Sequence, residues 1–215
     1  MREEERALSG LLFCPADPEL RALKAKAHRL SHEYNDTYEE ETGRRREILS
    51  ELVGELGENA FMQGPIQFHY GCHTRIGKNF FANFNFTVQD DGWVTIGDNC
   101  AFGPGVTLVT PVHPMLPDER RLMLDGEGNK RRLCYAKSVT VGNDCWLGAN
   151  VTVCSGAVIG DGCVIGAGSV VTGTIPPHTF AAGVPCRPIR TLTEKDSMKY
   201  KMEILGGCAV IEEEK

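Results

Sequence analysis

The sequence predicts a mainly β protein, a parallel β-helix of six-residue repeats with a helical N-terminal segment and a C-terminal extension. The period is the first observation behind this. Aliphatic side chains open successive hexads at Val141, Leu147, Val153, Ile159, Ile165 and Val171. The second is what lies between them. Gly142, Gly148, Gly160 and Gly166 follow four of the openers directly, and the fifth places are small or branched: Cys145, Val151, Ala157, Cys163, Ser169 and Ile175. A helix repeats near 3.6 residues and an ordinary strand every 2, so neither produces a period of six. Short repeats of this kind build a parallel β-helix, in which each short strand lies on the one a coil below. The 24 glycines fall mostly inside the repeats, where tight corners call for positive φ.

Residues 1–58 form the expected helical region. Asp17 is placed as an N-cap with Pro18 at the first helical position. Leu20, Leu23, Ala27, Leu30 and Tyr34 then line one face at helical spacing. Thr37 to Glu40 has capping-box spacing, and Ile48, Leu49, Leu52, Val53 and Leu56 form a second stripe that stops near Gly57. Two amphipathic helices cannot bury such stripes alone, so they pack on the coil or a neighbour.

The β-helix is expected over 59–185. Ile76, Ala82 and Val88 are spaced by six, as are Ile96, Phe102 and Leu108, but the sets are offset by two residues. That predicts a short outward bulge near Asp90 to Val94. Between Leu108 and Val141 the repeat disappears. The segment 110–138 carries Pro111, Pro114, Pro117, arginines at 120, 121, 131 and 132, and the Gly126-Glu127-Gly128 turn. It reads as a long loop leaving the coil, and loops of that length are usually functional. Residues 186–215 read as a C-terminal extension that clasps the coil and finishes in a loose acidic end.

Bulk properties narrow the function. At 215 residues and 41% hydrophobic, the chain is an ordinary globular length and composition. A formal charge of -6 without a basic concentration argues against a nucleic-acid partner. No apolar run approaches the ~18 residues of a membrane span, and the charged start, Met1 to Arg6, shows no secretory signal. The nine cysteines include no CxxC pair and are odd in number. They read as buried free thiols in a reducing, cytoplasmic setting.

Several residue settings carry chemistry. His113 sits between Val112 and Pro114 where the repeat yields to the long loop, with a side chain suited to acid–base work near neutral pH. Read from the residues alone, it is either a general base or a loop histidine fixed by prolines. Asn83 and Asn85 suit either substrate contact or a stacked-asparagine turn. His69 and His73, four apart, raise a zinc alternative.

Five segments in order are more specific than the hexads: Asn79-Phe80-Phe81-Ala82-Asn83-Phe84-Asn85, Ile96-Gly97-Asp98-Asn99, Thr110-Pro111-Val112-His113-Pro114, Val141 to Gly148, and Ala181-Ala182-Gly183-Val184-Pro185-Cys186-Arg187. Together they resemble the maltose and galactoside O-acetyltransferases, hexapeptide-repeat enzymes that move acetyl from acetyl-CoA to a sugar hydroxyl. The resemblance runs from about Gly10 to Arg190. It implies a left-handed coil with three flat faces and a homotrimer with active sites between adjacent subunits, each reached by the neighbour's long loop.

Residue by residue, the resemblance implies that His113 is the general base and that Asn83 contacts the acceptor and stabilises the tetrahedral transition state. Asp91 would bind sugar hydroxyls, unless Asp90-Asp91-Gly92 is only a surface turn. His69 falls where the family carries a small polar acceptor-binding residue. The amides of Ala149 and Ala167 would bond the pantetheine arm of acetyl-CoA, the former also meeting the thioester carbonyl. Trp146 would line the groove, Thr172 contact CoA, and Arg187 and Arg190 face its phosphates. No metal is implied. Three features depart from the family pattern: Gly173 stands where Lys is usual, the loop is extended by Leu122 to Arg132, and Leu133 and Cys134 replace Glu and Met at the acceptor wall. The alternatives are transfer to a non-sugar acceptor, a zinc lyase of the γ-carbonic-anhydrase type, and a non-catalytic β-helix subunit.

Overall fold

The computed structural model describes residues 1–210. Its coil has three flat faces of stacked parallel strands. The first holds Glu55–Leu56, Thr74–Ile76, Val94–Ile96, Val139–Val141, Val158–Ile159 and Thr174–Ile175. The second holds Phe61–Met62, Phe81–Ala82, Ala101–Phe102, Trp146–Leu147, Val164–Ile165 and Thr179–Ala182. Ile66–Phe68, Phe86–Gln89, Thr107–Val109, Thr152–Val153 and Val170–Val171 make the third. The first strand, Glu55–Leu56, thus lies inside the stretch read as helical.

The hexad openers stack as the period requires. Leu147 pairs with Phe102 below and Ile165 above, and every opener from Val141 to Val171 is buried. They fill one continuous column, widened near its base by Phe80, Phe86 and Phe102, whose rings meet edge-on or tilted at 5.1–5.7 Å. The last coil departs from the sequence reading. Val171 is followed four residues later by Ile175, which pairs with Ile159 and points inward as an opener rather than a fifth place.

Gly105, Gly156, Gly162 and Gly168 take positive φ as expected, whereas the glycines directly after the openers serve another purpose. They are needed for coil-on-coil approach: a Cβ on Gly97 would lie 2.7 Å from the Gly142 carbonyl carbon and 2.5 Å from Asn143 Oδ1. At this corner the left-handed conformation is taken instead by Asn59, Asn79, Asn99 and Asp144, with φ of 54–57°. Asparagine tolerates that region better than most residues. The side chains form a ladder in which each amide donates to the residue above, Asn59 to Asn79 at 3.1 Å, Asn79 to Asn99 and Asn99 to Asp144 at 2.9 Å. Cysteines at fifth places behave as small core residues. The Cys100, Cys145 and Cys163 thiols reach the carbonyls of Gly142, Gly160 and Pro176 at 3.0–3.2 Å. All nine cysteines are free.

Three helices precede the coil. Helix α1 (Glu3–Leu8) was not anticipated. Helix α2 (Pro18–Asn35) begins as expected, with Asp17 Oδ1 accepting from the Glu19 amide at 2.9 Å, and its buried residues follow the predicted stripe. The capping box at Thr37–Glu40 does not form. Thr37 Oγ1 instead donates to the Tyr34 carbonyl at 2.6 Å, closing α2, and α3 (Thr42–Leu52) starts later. Tyr34 and Arg45 tie the helices to the first coil: the Tyr34 hydroxyl donates to the Met62 carbonyl, and Arg45 Nη2 donates to Met62 and Gln63 carbonyls at 2.7 and 2.8 Å.

Interruptions of the repeat all fall on the edge between the third and first faces. Phe68 to Ile76 and Val88 to Ile96 each span eight residues rather than six, and Leu108 to Val141 holds the long insertion. The expected bulge is covered rather than left on the surface. Asp90 and Asp91 are 0% and 5% exposed, because residues of the first coil and of the insertion cover them. Asp90 accepts from the Tyr70 amide at 2.8 Å and the Thr74 hydroxyl at 2.9 Å, and Gly92 stands against Ala136. The insertion is more ordered than a plain loop. Pro111–Val112 pairs antiparallel with Tyr135–Ala136, and Met123–Leu124 with Lys130–Arg131. Helix α4 (Pro117–Arg121) lies between the two pairs in sequence.

After the coil, Arg187–Thr191 folds back antiparallel along Thr179–Ala182, the expected clasp. The acidic end, Glu212 to Lys215, lies outside the described residues. Gly97→Ala should lower stability by about 1–3 kcal/mol, the usual range for overpacking. Gly126→Ala has nothing within 4 Å of its added Cβ and should stay within about 0.5 kcal/mol. Chemical denaturation of both variants checks the contrast; equal effects would contradict the stacking explanation.

Candidate active site

The third–first edge collects one group of candidate residues. His69 follows the strand Ile66–Phe68, its ring 4.5 Å from Tyr70 and 5.9 Å from His28 of α2. Burial, then the charges of Lys24 and His28, pull its pKa to about 4, so its imidazole is neutral near neutral pH. Asp91 moves the opposite way: burial, reinforced by Asp90, pushes its carboxyl from 3.8 to about 6. A surface-turn reading of Asp91 is therefore overturned. Above them, the hairpin of Pro111–Val112 presents His113, which is exposed. The adjoining backbone is held by Arg120 Nη1 donating to the Pro114 carbonyl at 3.2 Å. Leu133 and Cys134 are buried beneath the same hairpin.

A second group lies on the edge between the second and third faces. Asn83 is half-buried there, donating its amide to the Phe102 carbonyl at 2.9 Å while its Oδ1 accepts from Phe84 N at 2.8 Å. Its Nδ2 has no acceptor among the described residues. The stacked left-handed turn belongs to Asn85, with φ of 61°. Directly above Asn83 in the stack come Gly103-Pro104, Gly148-Ala149 and Gly166-Ala167. At the first–second edge, the amides of Lys78, Asp98 and Asn143 are each capped at 2.7–2.8 Å by the Asp or Asn side chain one coil up. Alanine has no such side chain. Among the described residues, the Ala149 and Ala167 amides donate to nothing. Trp146 stands beside them on the second face, 57% exposed.

Other predicted residues are more scattered. Thr172 and Gly173 are exposed and follow the strand Val170–Val171, which puts them on the third–first edge. Arg187 is exposed and donates from Nη1 only to the Cys186 carbonyl, at 3.0 Å. Arg190 already holds Asp196 with both Nη atoms, at 2.8 and 2.6 Å, and keeps that carboxyl down at about 2. Phosphate binding by Arg190 would have to displace Asp196. The His69–His73 pair behind the zinc alternative is split. His73 is buried and joins Glu4 and Cys72, whose ligating atoms lie within 4.8 Å of one another, whereas His69 stands with His28 and Tyr70.

Sequence reasoning missed His28, Lys24 and Tyr70 around His69. Lys24 and His28 are four apart on α2, a spacing that puts them on one flank of the helix, and this was the available signal. It said nothing of which coil they would face.

Comparison with known proteins fits this architecture. The model for the bacterial transferase hexapeptide (six repeats) matches residues 138–173, which places the chain among the hexapeptide-repeat transferases. The maltose acetyltransferase hexapeptide capping motif matches residues 6–57, the helical cap. The chain is 42% identical over 199 residues to the galactoside O-acetyltransferase of Escherichia coli K12, covering 91% of this chain and 92% of that one. A galactoside acetyltransferase in complex with coenzyme A superposes with a TM-score of 0.83 at 40% identity, covering 91% and 94% of the two chains. A maltose O-acetyltransferase from Clostridium difficile 630 gives 0.82 at 36%, covering 90% and 99%. The chain belongs to the maltose and galactoside O-acetyltransferase family, and is an acetyltransferase built on a left-handed parallel β-helix.

The raised Asp91 carboxyl makes a pH prediction. Its proton is favoured in the folded state, so unfolding releases it between pH 3.8 and about 6, and the fold loses stability as pH rises through that window. Asp91→Asn should therefore stabilise the protein by on the order of 1–3 kcal/mol near pH 7.5. Near pH 4 the gain should be much smaller. Urea unfolding at both pH values checks this, and an equal change at each would contradict it.

Proposed function

We propose that the protein is an acetyl-CoA-dependent O-acetyltransferase that acetylates a hydroxyl of a sugar or sugar-like acceptor by direct transfer. The reading is carried by the division of candidate residues between two edges. His69, Asp91 and His113 occupy the third–first edge, while Asn83, Trp146 and the open amides of Ala149 and Ala167 occupy the second–third edge. The third face separates the two edges of one chain. A complete site then requires one edge from each of two subunits, as in a homotrimer with three sites.

In that site His113 takes the acceptor hydroxyl proton as the oxygen attacks the thioester carbonyl. The Ala149 amide and the Asn83 Nδ2 group donate to the oxyanion of the tetrahedral intermediate. The intermediate collapses with cleavage of the carbon–sulfur bond, and the imidazolium returns its proton to the departing thiolate of CoA. Asp91 and the neutral His69 hold acceptor hydroxyls. The Ala149 and Ala167 amides bond the pantetheine arm, Trp146 covers it, and Thr172 contacts CoA. Arg187, whose guanidinium has no carboxylate among the described residues, meets the CoA phosphates, with Arg190 joining only if it exchanges Asp196. The helices of 1–58 serve as the acceptor-side cap, because α2 brings His28 and Lys24 to His69.

Among the described residues no helix is long and apolar enough to cross a membrane, and the free thiols suit a cytoplasmic setting. The division of the candidate zinc histidines weighs against the lyase alternative. His113→Ala should lower acetyl transfer at least about 100-fold, in line with the loss of a general base, while CoA binding measured by calorimetry persists. Near wild-type transfer by this variant would sink the mechanism.

A further inference from the structure

The residues beside His113 bear on what kind of acceptor the site takes. His113, Pro15, Arg120, Arg121, Arg132 and Leu133 line a cleft of about 490 Å³, within the usual size for a small-molecule site. Three of these six side chains are guanidinium groups, and no carboxylate is among them. This is unusual on a chain whose formal charge is -6.

Among the described residues, the acidic groups nearby leave Arg120 and Arg132 without a carboxylate partner. Arg120 Nη1 donates to the carbonyls of Pro114 and Met115, both at 3.2 Å, which fixes the guanidinium without neutralising it. Asp118 pairs with Arg121, but both side chains are largely solvent-exposed, 88% and 70%, and such a pair is readily exchanged. Asp125 is engaged by Arg131 at 2.6 Å and by the Glu127 and Asn129 amides. Arg132 has no ion pair or hydrogen-bond acceptor among the described residues.

We infer that this cleft binds an anionic group, a phosphate or a carboxylate, carried by the acceptor whose hydroxyl His113 deprotonates. The inference rests on the acetyltransferase reading of His113 and adds the substrate class. Guanidinium forks match both oxyanions in bidentate geometry. An anion held on Arg132 and Arg121, with Arg120 behind them, fixes one end of the acceptor and brings a neighbouring hydroxyl to the imidazole. The phosphates of CoA are the other source of such an anion. They are disfavoured because the thioester end that must approach His113 carries no charge.

The test measures acetyl transfer from saturating acetyl-CoA to galactose, galacturonate and galactose 6-phosphate, using the wild type, Arg132→Gln and Arg132→Lys. Arg132 lies on the exposed insertion, and circular dichroism verifies that the variants fold. The wild type should favour an anionic sugar over galactose by about tenfold or more in kcat/KM, the scale of one charge-assisted contact. Arg132→Gln should collapse that ratio through the acceptor KM, and Arg132→Lys should restore part of it. Calorimetric titration of galactose 6-phosphate into the CoA-bound protein gives a readout that needs no turnover, with binding about tenfold weaker in Arg132→Gln.

A preference for galactose, a ratio unchanged in Arg132→Gln, or no sugar phosphate binding would overturn the inference while leaving the acetyltransferase intact. A loss that appears in CoA affinity instead would assign the arginines to CoA and also overturn it. Failure of CoA to bind at all would instead remove the acetyltransferase reading on which the inference rests.

Discussion

Backbone hydrogen bonding from each coil to the next is the constraint on which the rest of the structure depends. Gly77 donates to Ile96, Gly97 to Val141 and Gly142 to Ile159, each at 2.8–2.9 Å. Stacking at this spacing leaves no room for a Cβ at Gly97 or Gly142, and it requires one inward apolar side chain per strand. The hexad is the sequence image of that requirement. It also consumes almost every polar backbone group on the faces, leaving chemistry to the edges.

The three edges solve the corner problem differently. At the first–second edge, an asparagine ladder and side-chain caps satisfy the backbone, giving a purely structural seam. At the second–third edge, Ala167 and Gly183 stand one coil above Ala149 and Ala167 and supply no cap, so two amides stay open. At the third–first edge every early coil carries extra residues, and these gather buried acids, a neutral histidine and the His113 hairpin. Regular stacking and irregular insertion divide the candidate residues between two edges, which the proposed homotrimer would bring together across subunits.

The period of six made the coil legible, because stacking forces the same side-chain type at every opener. Asp17 as a cap was legible for a comparably local reason. Long-range packing was not. Nothing in the offset between Val88 and Ile96 told whether Asp90 and Asp91 would turn out or in, because the answer lay with Tyr70, Thr74 and Ala136, distant in sequence. Thr37 was misassigned because a hydroxyl can serve the end of one helix as well as the start of the next. The site residues were named largely through family resemblance. The second hairpin of the insertion and the arginines gathered beside His113 arise from pairings within 110–138 that follow no repeat.

The most direct measurement is CoA affinity in Ala149→Pro. Proline already occupies the equivalent corner one coil below, at Pro104, so the substitution suits the local backbone while it replaces the amide hydrogen with the ring Cδ. If the open amides of this edge hold the pantetheine arm, the variant should melt like the wild type yet bind CoA at least several-fold more weakly, as expected for one lost hydrogen bond of about 1 kcal/mol. Unchanged CoA affinity in a fully folded variant would contradict the assignment of this edge to the cofactor.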